Sequence, residues 1–209
     1  MSSTTLYRLS GISLLIGSVL GVIGAILEVF SSDPAGTITI AGAMVSFVGA
    51  TLGILGLPGM YAKQAQRAGV LGLIGTALMI VYILILGTFG SALNALILPF
   101  ITTHAPALAK SSPPGLDLFF MVGGLLGVVG GILLGIATMR AAVLPRWAGL
   151  LLSVGVVLQF AGDFLQSPIA NFGFLLVMIG FAWLGLGMLS SKRQDTSASS
   201  ELPTGAVRV

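Results

Sequence analysis

Apolar residues run through this chain in long stretches separated by short polar breaks, and charges are almost wholly confined to the breaks. The pattern predicts helices over about 9–30, 35–60, 69–94, 116–139, 147–166 and 169–189. A helix needs roughly 20 residues to cross a bilayer, and each stretch meets that length. The expected fold is therefore all-α, a polytopic integral membrane bundle of six transmembrane helices. The third run stays apolar over 68–100, longer than one crossing requires. Ser91 and Asn94 are expected to end its helix and leave an interfacial continuation. The first stretch is too long for a signal-peptide core and no small-x-small cleavage site follows it, so it reads as a retained helix. Residues 190–209 are polar and rich in Ser and Thr, and are expected to form a disordered tail.

The outward-running helices start alike. Gly11, Gly17 and Leu20 in the first match Gly69, Gly75 and Leu78 in the third and Gly149, Gly155 and Leu158 in the fifth. Met60, Met139 and Met188 close the three returning helices. This spacing suggests three related hairpins in parallel orientation, as in repeats about an axis along the membrane normal.

Composition sharpens the class. Of 209 residues 56% are hydrophobic and 7% charged, with a mean hydropathy of +1.10. Soluble domains carry about 25% charged residues, so lipid must be the main solvent. The net charge of +3 forms no patch that would suit nucleic acid. Instead Arg8, Lys63, Arg67, Arg140, Arg146, Lys192, Arg193 and Arg208 fall on alternate breaks. Positive-inside bias makes those breaks cytoplasmic, which puts both termini in the cytoplasm of a bacterial inner (plasma) membrane protein. Lys110 lies on the other side, in the proline-bearing connection 102–115. There is no cysteine, so disulfides and thiolate chemistry are excluded.

The 30 glycines fall at helical spacing. Gly123, Gly127, Gly131 and Gly135 form the longest stripe, a small-xxx-small face for helix packing or for a homo-oligomer seam. Asp33, Asp117, Pro145 and Ser167 sit where helix starts use such residues. Glu28 and Asp163 have no such reason: both lie near helix C-termini, where the macrodipole disfavours an anion. Gln159, Asp163 and Gln166 are spaced to share a helix face. With Glu28 and Asn94 they make a candidate polar pocket in the outer half of the bundle, and intramembrane ionisable groups are functional candidates. His104, the one histidine, lies in an expected loop and is a candidate pH sensor.

No nucleotide loop, zinc-protease motif, nucleophile elbow or acidic metal cluster occurs, so neither metal nor cofactor is expected and an enzyme is disfavoured. No motif is specific enough to name a family. The leading expectation is a non-catalytic packing, accessory or lipid-binding bundle whose partners are the bilayer, its own copies or another membrane protein. The alternative is a small proton- or cation-coupled transporter or channel built on the polar pocket.

Overall fold

The computed structural model describes residues 3–31, 33–111 and 113–190. Apart from Ser190, the expected tail lies outside the described residues. Nearly every described residue is helical and none is in a strand. The order is α1 (Ser3–Val29), α2 (Thr37–Tyr82), a π-helical stretch Ile83–Phe89, α3 (Gly90–Ala92), a second π stretch Leu93–Ile97 and α4 (Leu98–His104). A 3-10 turn at Leu108–Lys110 precedes α5 (Leu116–Ala141), α6 (Arg146–Phe164) and α7 (Ile169–Ser190).

Five helical runs are long and apolar enough to cross a membrane. One of them, Thr37–His104, has 68 residues. A straight helix of that length would measure about 100 Å, far beyond a bilayer core of about 30 Å. The run is not straight. Gly69 has φ 57° and ψ −153°, a conformation open to glycine alone, and the chain folds back there. The Tyr61 hydroxyl donates to the Gly69 carbonyl oxygen (3.4 Å), and further along Gly87 packs against Ala50. α2 is thus two antiparallel limbs.

Counting those limbs, six rods stand side by side in a closed ring. Gly17 meets Gly49 between α1 and the first limb, and Gly87 meets Ala50 between the limbs. Gly75 meets Leu134 of α5, Gly135 meets Gly149 of α6, and Gly155 meets Val177 of α7. Gly185 and Gly11 close the ring back onto α1. Glycine serves every seam because close helix approach is the chief packing gain open to helices in lipid. Gly17, Gly75 and Gly155 all abut the rod that follows their own, while Gly11 and Gly149 abut the rod before.

The outer surface is apolar, with Leu55, Val70 and Phe172 each more than half exposed. The interior at the basic end is filled by Leu57, Met60, Met79, Leu134 and Leu184, all fully buried. This is the inverse of a soluble protein's surface and fits an apolar solvent.

Several expectations are corrected. The third helix does not end at Ser91 or Asn94 but continues to His104 through the two π stretches. Both polar side chains turn into the bundle, so they need not terminate the rod. The glycine stripe of α5 is buried within the chain: Gly123 against Ile85 and Leu86, Gly127 against Tyr82, Gly131 against Val156, Gly135 against Ser153. Asp33 stands ahead of α2, whose N-cap is Gly36, and accepts from the Ala35 amide (2.9 Å) in a local turn. Asp117 does sit in the first turn of α5.

Candidate functional site

At the end opposite the basic residues the middle of the ring is not filled. The ring surrounds a cavity of about 940 Å³, within the range of about 300–1,000 Å³ usual for ligand pockets. On α1 the lining follows one helical face, Leu14, Ser18, Gly21, Ala25 and Glu28. At 1.5 Å per residue that face spans about 21 Å. Leu108, Ala109, Ser111 and Pro113 of the connection before α5 also border the space.

One wall is the second rod of the α2 hairpin and its extension. Ile83, Leu86, Gly87, Asn94 and Ile97 all line the cavity from its π-helical stretches. A π turn widens the helix and rotates the side chains that follow, and such turns occur often at functional sites. The run's unusual apolar length was the one signal of this in the sequence; periodicity does not reveal a π turn.

Two polar clusters stand on this mostly apolar lining. In the first, Glu28 stands one residue before the end of α1. Ser46 Oγ donates to its Oε1 (3.1 Å) and Asn94 Nδ2 to its Oε2 (3.5 Å). Glycine makes this possible: a Cβ on Gly24 would collide with Ser46, and one on Gly42 would lie 3.1 Å from Glu28 Cγ. The three side chains come from three successive rods.

In the second cluster the Tyr82 hydroxyl donates to Gln159 Oε1 (2.9 Å). These rods are not ring neighbours, so the bond crosses the interior. Gly127 of α5, whose added Cβ would strike the Tyr82 ring, leaves room for it. Asp163 lies one turn beyond Gln159 on the same face of α6 and also lines the cavity. Its carboxylate has no hydrogen bond or basic partner among the described residues, and none of the described lining residues is Lys, Arg or His. A Tyr82→Phe variant should lose about 0.5–1.5 kcal/mol, the net worth of one such bond, read as a lowered midpoint in thermal unfolding in detergent. An unchanged midpoint would mean the crossing bond contributes nothing.

Of the residues picked from sequence, Glu28, Asn94, Gln159 and Asp163 share this cavity. Gln166 does not. α6 ends at Phe164, and Gln166 follows in a left-handed conformation (φ 48°), so the helical spacing that aligned it with Asp163 no longer holds. His104 is not a loop residue: it ends α4, stacked on Phe100 at 4.5 Å, with Nδ1 3.1 Å from the Phe100 carbonyl oxygen. Ser46, Tyr82 and Asn171 line the cavity and were missed. Ser46 continues the small stripe of Gly42, Gly49 and Gly53, which was a usable signal; Tyr82 and Asn171 carried none. Among the described residues no three His, Asp or Glu side chains gather as a metal site.

Comparison with family models, curated proteins and solved structures finds no match to this chain.

Proposed function

We propose that this chain is a six-span plasma-membrane protein that binds an amphipathic molecule in its outer half, without catalysing a reaction. The observation that carries this reading is the cavity of about 940 Å³, apolar over most of its wall and bearing two hydrogen-bonded polar clusters. An apolar body with a hydrogen-bonding head matches that division. The fold-back at Gly69 supports six spans rather than five, since it divides the 68-residue run into two rods. The basic breaks support cytoplasmic termini, which puts the cavity in the outer leaflet. The matching seam contacts of Gly17, Gly75 and Gly155 support three related hairpins. The transporter reading comes second, because fully buried Leu57, Met60, Met79 and Leu134 fill the other half of the ring.

The test uses Gly53, which lines the cavity and where an added Cβ would meet nothing within 4 Å. A Gly53→Phe variant puts a bulky ring into the space without straining a seam. Protein in nanodiscs is photolabelled with a diazirine-bearing fatty alcohol, and labelled peptides are mapped. Labelling of the 83–101 segment is expected in wild type and should fall at least about tenfold in the variant, equivalent to about 1.4 kcal/mol of binding. Labelling confined to lipid-facing positions such as Val70 and Phe172, and unchanged in Gly53→Phe, would overturn the reading.

A further inference from the structure

We infer that the molecule held in this cavity is a cationic amphiphile, an apolar body bearing a protonated amine, and that Asp163 is its ion-pairing anchor. The inference rests on the reading that the cavity binds a ligand, and adds the charge of that ligand and the residue that selects it.

The argument is one of charge complementarity. Two carboxylates face one largely apolar space, and no described lining residue is Lys, Arg or His. The helix dipoles do not supply the missing positive charge. The three rods ending at Val29, His104 and Phe164 and the three starting at Thr37, Leu116 and Ile169 meet at the same end, so their terminal partial charges oppose one another. Among the described lining residues the charged groups are therefore the two carboxylates. Their charge attracts a cation entering the cavity.

The two carboxylates are not equivalent. Both oxygens of Glu28 are already occupied by neutral donors, Ser46 and Asn94. Asp163 is bonded to nothing described and is open on the cavity side, one turn from a Gln159 whose Oε1 is held by Tyr82. An ammonium group beside Asp163 would gain a charge-assisted hydrogen bond, the stronger class. Phe174, Met178 and Phe181 line the same space from α7 and offer an apolar and aromatic bed for the body. An anionic head would meet two like charges and, among the described lining residues, no cation.

The experiment compares three diazirine probes of equal chain length, a fatty amine, a fatty alcohol and a fatty acid, on the full-length protein in neutral-lipid nanodiscs at pH 7. Cavity labelling by the amine should exceed that by the acid at least about tenfold, as expected for one hydrogen bond to a charged group. Asp163→Asn should bring the amine down to the level of the alcohol and leave the alcohol unchanged, with Asp163→Glu restoring part of the difference. Glu28→Gln should have the smaller effect. Competition by added phosphatidylethanolamine would identify the amine source as membrane lipid, and competition by a water-soluble alkylammonium would identify it as a solute. Equal cavity labelling by all three probes would overturn the cationic assignment and leave the binding cavity standing. Amine preference that survives Asp163→Asn would overturn the anchor. No cavity labelling by any probe would remove the binding reading itself.

Discussion

A Gly173→Leu substitution should abolish the folded protein, while Gly53→Leu should leave it folded. Gly173 sits in α7 where a Cβ would fall on the backbone nitrogen and Cα of Gln159 in α6. Overpacking a core costs about 1–3 kcal/mol when side chains can give way. Here the obstacle is main chain, so α6 and α7 must move apart along their whole seam. Gly155 and Gly162 sit in that same seam, against Val177 and Ala170, so separating the helices loses their contacts as well. Against a total stability of about 5–15 kcal/mol the loss should be decisive. Gly53 belongs to an equally regular stripe, Gly49, Gly53 and Gly56, yet its Cβ position is open space. There the side chain enters the cavity, and the helix gains up to about 1 kcal/mol from losing a glycine. Detergent-solubilised fusions run on size exclusion, followed by thermal melts, would decide. A Gly173→Leu protein that elutes as a monodisperse peak and melts within a few degrees of wild type would refute the seam geometry.

The contrast between Gly53 and Gly173 marks what the sequence could and could not say. Apolar length and the distribution of arginine and lysine made the helical rods legible, because both follow from the solvent alone. That glycine would face neighbouring rods was legible too. Which glycines are jammed and which are free was not, since that depends on how far the ring closes at each level. Glu28 and Asp163 stood out for want of a local reason to be acidic, and the cavity joins them. Asn94 and Gln159 followed from being polar in apolar surroundings. Gln166 was lost to a helix end two residues earlier than the spacing assumed, and boundaries are the least certain part of such a reading. The π-helical wall was invisible, because an extra residue in a turn leaves no mark in so apolar a segment. The hairpin signature explains framework and not chemistry. Glu28 and Asp163 occupy different positions relative to their matching glycines, eleven residues beyond Gly17 in one case and eight beyond Gly155 in the other. If the hairpins are related, the cavity's polar groups break that relation.

At the opposite end, exchanging a polar pair for an apolar one should stabilise the protein. Gln64 and Thr138 are 1% and 0% exposed, and Gln64 Nε2 donates to Thr138 Oγ1 over 3.3 Å. The bond joins the first limb of α2 to α5, which are not ring neighbours, so it plugs the centre of the ring beneath the cavity. Gln64 Oε1 has no partner among the described residues. A buried unsatisfied polar atom costs about 1–3 kcal/mol. Thr138→Val alone should therefore destabilise, because it strands the rest of the Gln64 amide. Gln64→Met with Thr138→Val removes every polar atom of the pair at similar volume and should raise stability by about 1–3 kcal/mol above wild type. Unfolding of the two single variants and the double variant in mixed micelles gives the cycle, and a double variant no more stable than wild type would mean that Oε1 finds a partner in the native protein. A pair retained against its own stability cost needs a use, and the same variant discriminates the two. In a passive binder the apolar plug leaves amphiphile labelling of the cavity unchanged and there is no flux to lose. In a carrier the plug must open and admit water, so the double variant should keep its labelling and lose transport of the labelled amine across a proteoliposome membrane.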